Sequence, residues 1–184
     1  MPRSFGFLLH WRIHEVLETL DTMQTILEIF YLRIVDKQVH FQRKQANLSR
    51  KGGDPNQMIQ SLIQEKRKAA SGKVEKKEFI VHSTSWRYMQ PSKVVLTYVA
   101  YSDELEFENG KAKKVPLERL RKLTKKSRRP RSKIELEKQV VSHAMRHIAF
   151  LIKTDQQNDF KSALKPETKK VFKALWVNLA GRVY

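Results

Sequence analysis

Hydrophobic positions repeat with the period of a helix along the first part of the chain. Eight successive apolar residues are spaced alternately four and three apart: Leu9, Ile13, Val16, Leu20, Met23, Leu27, Phe30 and Ile34. This spacing places them along one side of a helix, and it predicts a single long helix from about residue 4 to about residue 45. Leu17, Ile26 and Tyr31 widen the apolar stripe. The pattern therefore favours packing within the protein's own fold over a dimeric coiled coil, although the dimer stays open as an alternative.

Capping residues predict further helices. Asp54 and Pro55 suit the N-cap and the first position of a second helix, which we expect from about 55 to 70. Near the end of the chain, apolar residues recur with helical spacing over about 134–153 and again over about 166–180. The sequence thus predicts two helices before the middle of the chain and two after it.

Between these helices the pattern changes to that of β-strands. The segments 79–88 and 94–101 are rich in β-branched and aromatic residues, and Asn109-Gly110 is the favoured pair for a two-residue hairpin. That hairpin would set Glu106 opposite Lys113 and Glu108 opposite Lys111. The predicted fold class is therefore α+β, with a long N-terminal helix and a second helix, a small antiparallel sheet at about 78–115, and two C-terminal helices packed on it.

The charge balance is the strongest compositional signal. The chain has 184 residues, of which 37 are Lys or Arg and 19 are Asp or Glu, giving a formal net charge of +18. Hydrophobic residues make up 40% of the chain, which is enough for one packed domain over residues 1–184. A positive surplus of this size attracts phosphate backbones, so nucleic acid is the first partner to consider, with RNA or a ribonucleoprotein preferred.

The absence of cysteine and of long apolar stretches argues against disulfide-bonded, thiol-dependent and membrane-spanning proteins. Without cysteine there is no disulfide, no thiolate metal site and no cysteine nucleophile, which fits the cytoplasm or another reducing compartment. No apolar stretch reaches the roughly 18 residues that a membrane-spanning helix needs, so no membrane span is expected.

A basic segment at about 111–133 is the main candidate site. It contains one acid, Glu118, and twelve cations: Lys111, Lys113, Lys114, Arg119, Arg121, Lys122, Lys125, Lys126, Arg128, Arg129, Arg131 and Lys133. Such a cluster binds phosphates electrostatically, and we expect its part around 127–132 to be extended and mobile. Other basic pairs, such as Arg43/Lys44, favour an extended surface. The alternative interpretation is a solvated loop or a localisation signal.

The predicted strand at 82–88 carries aromatic residues at alternate positions. Alternation puts His82, Thr84, Trp86 and Tyr88 on one face. If that face is exposed it resembles the aromatic platforms on which bases stack. Burial beneath the helices as part of the core is the preferred interpretation.

Two histidine pairs have a spacing that can chelate a metal. His10 and His14 are four apart, as are His143 and His147, so each pair would share one side of a helix. The apolar surroundings of His143 and His147 instead predict histidines hydrogen-bonded in the interior. No metal, cofactor or catalytic residue is predicted, because neither a glycine-rich phosphate loop nor a nucleophile with an oriented base is present.

Three functional hypotheses therefore remain. The first is an accessory protein that binds RNA or a ribonucleoprotein through phosphate contacts. The second is an assembly factor that docks an acidic partner or a membrane surface through the predicted helix, with residues 9–34 as the docking face. The remote third is a histidine-dependent metalloenzyme. The patterns do not separate RNA from DNA or from an acidic protein partner, and they leave the oligomeric state and any sequence specificity open.

Overall fold

The computed structural model describes residues 24–48, 53–71, 79–89, 92–107, 110–123, 130–155, 159–162 and 164–175. Within these residues the chain forms five strands and five helices. The strands are β1 Gln24–Val35, β2 Gln38–Asn47, β3 Ile80–Met89, β4 Lys93–Tyr101 and β5 Lys113–Pro116. The helices are α1 Pro55–Ser71, α2 Leu117–Leu123, α3 Lys133–Thr154, α4 Asp159–Ser162 and α5 Pro166–Leu175.

The strands form one mixed sheet with helices on both faces. Its order is β3-β4-β1-β2-β5, in which β1 and β4 are parallel and every other pair is antiparallel. Helix α1 covers one face, which we call the α1 face, and α2, α3 and α5 cover the other, which we call the α3 face. The sheet is therefore the middle layer of the fold.

The core has two parts, one on each face of the central strands. Leu27, Ile29 and Tyr31 of β1 pack with α1, and the Tyr31 hydroxyl donates a hydrogen bond to the carbonyl of Leu62 at 3.0 Å. On the α3 face, Tyr101 and Phe172 meet edge to face with ring centroids 5.1 Å apart. Burying a large apolar side chain stabilises a fold by about 1.5–3 kcal/mol, so both layers contribute to stability.

The predicted long N-terminal helix is wrong where the structure describes it. Residues 24–47 form the β1–β2 hairpin, joined by a turn in which Asp36 and Lys37 both have positive φ, at 47° and 60°. Almost every position from 26 to 35 is apolar, as a strand buried on both faces requires. Helical spacing can be found in any such nearly unbroken apolar stretch, so it does not distinguish a helix from a buried strand. Residues 1–23, with the first five of the eight repeating positions, lie outside the described residues.

This correction applies to the part of the proposed docking segment, residues 9–34, that the structure describes. Residues 24–34 lie in β1, at the centre of the sheet, where Leu27 and Phe30 are almost fully buried. They offer no helical face to a partner. Residues 9–23 lie outside the described residues.

The predicted layout of the sheet is wrong as well. Two of the five strands precede α1, and the sheet is mixed rather than a small antiparallel one at 78–115. Strand β5 pairs with β2, so that Lys113 lies opposite Phe41 instead of Glu106. Glu108 and Asn109 lie outside the described residues. A long-range pairing of this kind carries no local sequence signal, whereas the turn pair at 109–110 does.

The helices flanking the sheet occur near their expected positions. Helix α1 occupies Pro55–Ser71, and α3 extends over Lys133–Thr154, where Ser132 caps its first turn by accepting a hydrogen bond from the amide of Glu135. Helix α5 occupies Pro166–Leu175. None of the helices in the described part of the chain is long and apolar enough to cross a membrane.

Candidate nucleic-acid interface

The predicted basic segment is divided among three structural settings. Seven of its twelve cations have described side chains: Lys111, Lys113, Lys114, Arg119, Lys122, Arg131 and Lys133. For Arg121 only the backbone is described, within α2, and Lys125, Lys126, Arg128 and Arg129 lie outside the described residues. The described part of the segment therefore runs from two residues before β5 to the end of α2, and resumes at residue 130, just before α3.

Part of this segment meets strand β2 at a cleft of about 380 Å³. We call it the basic cleft, and its lining residues are Phe41, Gln42, Arg43, Gln45, Lys111, Lys113, Lys133 and Glu137. Strand β5 pairs with β2 only over Gln38–Phe41. Beyond Phe41, the edge of β2 has no strand partner among the described residues, and the start of α3 forms the opposite wall. The cleft thus brings together three stretches that are far apart in the sequence.

Among the described side chains that line the basic cleft, four are cations and one is a carboxylate. Lys113 pairs with Glu137, and Arg43 reaches the same carboxylate, with Nη1 3.5 Å from Oε1. Glu137 is almost fully buried, while Lys111 and Lys133 are exposed. The formal charge of the lining is therefore +3. The N-terminus of α3, a helix of 22 residues, adds partial positive charge beside Lys133.

A buried carboxylate on β1 holds Arg43 in place. Glu28 is 1% exposed and accepts hydrogen bonds from Arg43, from Gln45 at 3.1 Å and from Thr97 at 3.2 Å. Both terminal nitrogens of Arg87 also bind it, at 2.9 and 3.0 Å, in a forked pair. Burial alone would raise the pKa of Glu28, but the hydrogen bonds and charges of Arg87 and Arg43 outweigh burial and hold the pKa below its ordinary value.

The two carboxylates and their partners form one network across the α3 face. Arg87 on β3, Glu28 on β1, Arg43 on β2, Glu137 on α3 and Lys113 on β5 follow one another as alternating charges. Glu28 lies opposite Thr97 of β4 and opposite Gln45 of β2 in the sheet register. Each charge in the network has an opposite charge beside it, which is what a half-buried ionic group needs to remain charged. The network therefore fixes two cations of the basic cleft before any ligand arrives.

Other predicted cations lie outside the cleft. Lys114 is exposed on the opposite side of β5, since it follows Lys113 in an extended strand. Lys122 pairs with Glu118 one helical turn away, at 2.7 Å, and both side chains are about three-quarters exposed. Such surface pairs contribute little to stability and leave the cation accessible to phosphate. Arg119 and Arg131 are also exposed.

Arg43 belongs to the cleft although it was not among the predicted site residues. The sequence pattern assigned residue 43 to the predicted long N-terminal helix. Its sequence signal was weak: Arg43 and Lys44 form one of several basic pairs along the chain. A cation that points to the core side of a strand becomes recognisable only when the strand and its register are known.

The preferred interpretation of the aromatic strand is wrong, because Trp86 and Tyr88 are not buried. Trp86 is 70% exposed and Tyr88 is 53% exposed. A β-bulge between Ser83 and Ser85 adds a residue to β3, so strict alternation fails there. His82 consequently faces α3, whereas the two exposed rings lie on the other face, opposite Leu96 and Val94.

Three histidines meet where α3 crosses β3. The ring centroids of His143 and His147 are 4.3 Å apart, and those of His82 and His147 are 5.5 Å apart. Nε2 of His143 lies 3.4 Å from the carbonyl oxygen of Thr84. Burial lowers the pKa of all three histidines, and for His147 burial together with the charges of His143 and His82 lowers it to about 4. Neutral rings are therefore the stable form at neutral pH.

Metal chelation by the histidine pairs finds no support in this geometry. No group of three His, Asp or Glu side chains among the described residues is arranged to hold a metal ion. His10 and His14 lie outside those residues.

A scan against protein-family models finds no match to the chain, and a search of curated proteins finds none with significant similarity.

Proposed function

We propose that the protein binds nucleic acid, with RNA expected, by placing phosphates in and beside the basic cleft. The observation that carries the proposal is the convergence of Arg43, Lys111, Lys113 and Lys133 from three separate parts of the chain on one concave surface. Such convergence concentrates the field of the cations and favours a polyanion over water. Arg119 and Arg131, both exposed, extend the positive charge along the neighbouring chain.

The exposed rings of Trp86 and Tyr88 lie on the α1 face of β3, at the opposite edge of the sheet from the basic cleft, so only a flexible single strand could contact both. Bases of a single strand are accessible for stacking, and rings on the surface of a sheet are the common platform for them. Trp86 and Tyr88 are two residues apart on one face of β3, so the two side chains leave the strand about 7 Å apart. A duplex would hide its bases from both rings.

Salt-dependent binding tests the proposal. We compare the full chain with a variant that carries Lys111→Gln, Arg119→Gln, Arg131→Gln and Lys133→Gln, using single-stranded RNA, single-stranded DNA and duplexes of one sequence. The variant should bind single-stranded RNA at least about tenfold more weakly at low salt, and the slope of log affinity against log salt should fall by up to about 3, at about 0.7 for each lost phosphate contact.

The matched control removes the same charge elsewhere. Lys153, Lys165, Lys170 and Lys173 are exposed lysines in the C-terminal part of the chain, and we change all four to Gln. This control should lose less affinity than the first variant. Equal retention of RNA by the wild-type chain and the first variant would contradict the proposal, and circular dichroism spectra of both variants verify that they are folded.

A further inference from the structure

The basic cleft differs from a flat phosphate-binding surface in its size. Its volume of about 380 Å³ lies in the range of small-ligand sites, and the walls formed by α3 and by the chain before β5 limit it on two sides. A duplex is far too wide to enter. A single phosphate with part of one nucleotide attached matches the space.

The formal positive charge of the cleft lining is also larger than the single negative charge of one backbone phosphodiester. A phosphodiester within a strand carries one negative charge, whereas a phosphate monoester carries about −1.5 to −2 at neutral pH. The lining has a formal charge of +3, from four cations and Glu137. Lys111 and Lys133, which are exposed as Lys113 is, stand on different walls. Both can therefore approach one phosphate group from different directions.

The remaining two cations are held in place by protein carboxylates. Arg43 is fixed by Glu28 and Glu137, and Lys113 is fixed by Glu137. Side chains that are already ordered lose little conformational entropy when a ligand binds, so the affinity for a ligand of matching charge rises. Glu137 repels any anion, and a doubly charged one more strongly, so a preference for a monoester requires the four cations to outweigh this repulsion.

We infer that the basic cleft binds a phosphate monoester, either at the end of a nucleic-acid strand or on a free nucleotide, in preference to an internal phosphodiester. The inference rests on the proposed function for its ligand class. It assigns Lys111 and Lys133 to direct contact with the terminal phosphate, and Arg43 and Lys113 to shaping the field around it. The exposed cations outside the cleft would then hold the rest of the strand.

Oligoribonucleotides that differ only at their ends test this inference. The full chain is titrated against one short sequence, labelled at an internal base, with a 5′-phosphate, with a 3′-phosphate, or with hydroxyl groups at both ends. At least one phosphorylated form should bind about tenfold more tightly than the hydroxyl form, which corresponds to one additional charge-assisted hydrogen bond. Adenosine 5′-monophosphate and inorganic phosphate serve as competitors that distinguish a strand end from a free nucleotide.

Two double variants locate the effect. Lys111→Gln with Lys133→Gln should abolish the preference for a terminal phosphate while the hydroxyl form still binds. The control, Lys114→Gln with Arg119→Gln, removes two exposed cations that do not line the cleft. It should weaken all forms by a similar factor and leave the preference intact. A preference that persists in the first double variant would overturn the inference.

The remaining outcomes separate the inference from the proposed function. Equal binding of all three forms, with the usual loss at high salt, overturns the inference and leaves the proposed function standing. Binding of the mononucleotide in the cleft without binding of any oligonucleotide supports the monoester site and overturns the proposed function. If neither the mononucleotide nor any oligonucleotide binds, both are overturned.

Discussion

Glu28 is the residue on which the interior charge of the protein depends. It is a carboxylate at the centre of a sheet, 1% exposed, and it neutralises Arg87 and Arg43, which are 26% and 19% exposed. Removing its charge would leave two half-buried guanidinium groups facing each other. Removing one partner of a buried ion pair costs more stability than the pair itself contributes, because the other charge is then buried without a partner.

We therefore expect Glu28→Gln to lower the free energy of unfolding by about 3 kcal/mol. The matched control is Glu65→Gln, which removes the same group from a pair with Lys44 at 2.6 Å whose side chains are 63% and 47% exposed. That change should cost between about 0 and 1 kcal/mol. Urea denaturation measures both, and similar losses in the two variants would show that Glu28 does not have this role.

At the level of elements, the packing of α3 on β3 makes stability depend on pH. The ordinary histidine pKa of 6.5 applies in the unfolded chain, and His147 has a pKa of about 4 in the folded protein. Between these values the unfolded chain binds the proton and the folded protein does not, so stability is fully present above pH 6.5 and is lost as the pH falls towards 4. His82 and His143 add to the effect in the same direction.

Replacing one ring tests this dependence. We expect His147→Phe to reduce the loss of thermal stability between pH 7 and pH 5, because the variant has one group fewer whose protonation opposes folding. Melting temperatures of both proteins across this range measure the difference. The comparison variant is His40→Phe on β2, outside the cluster: burial also lowers the pKa of His40, but by less than that of His147, so this variant should reduce the loss of stability less than His147→Phe does. Parallel pH profiles for wild type and His147→Phe would contradict the expectation.

The elements also show what the sequence could and could not predict. Helices α1 and α3 have local signals, the Asp54-Pro55 start and the helical spacing at 134–153, and both lie close to where these signals place them. The β1–β2 hairpin has a turn of Asp36 and Lys37, which is not a common hairpin pair; β1 is too apolar for its period to be read, and β2 is mostly polar. The bulge at Ser83/Ser85 has no local signal, and it decides which face Trp86 occupies.

The residues of the candidate site likewise divide into those that the sequence alone indicates and those that only the fold brings to the site. Lys111, Lys113 and Lys133 belong to one basic run, so the sequence alone brings them to attention. Arg43 and Glu137 join them only through the pairing of β5 with β2 and the placement of α3 over that end of the sheet. Such contacts between distant segments depend on the whole topology, which a local pattern does not contain.

For the whole molecule, the net charge of +18 means that added salt should affect RNA affinity and folding stability in opposite directions. Added salt weakens phosphate contacts, and it also screens the repulsion among the cations of the folded protein. Raising the salt concentration should thus lower the affinity for RNA while it raises the melting temperature by about 2–4 °C for each kcal/mol of repulsion relieved. Calorimetry and binding titrations in the same buffers measure both, and a melting temperature that falls with salt would show that the ion-pair network dominates instead.

The parallel pairing of β1 with β4 sets the order in which the chain can complete its fold. Partners in this pairing are 69 residues apart, so on the ribosome β1 emerges long before its neighbour exists. Until then β1 presents an open strand edge and, on the α3 face, apolar side chains that no helix yet covers, the combination that nascent chains most need chaperones to shield. The arrival of β4 therefore closes the open edge of β1, and β5 later completes the sheet beside β2. A chain that stops before residue 93 would be prone to aggregate.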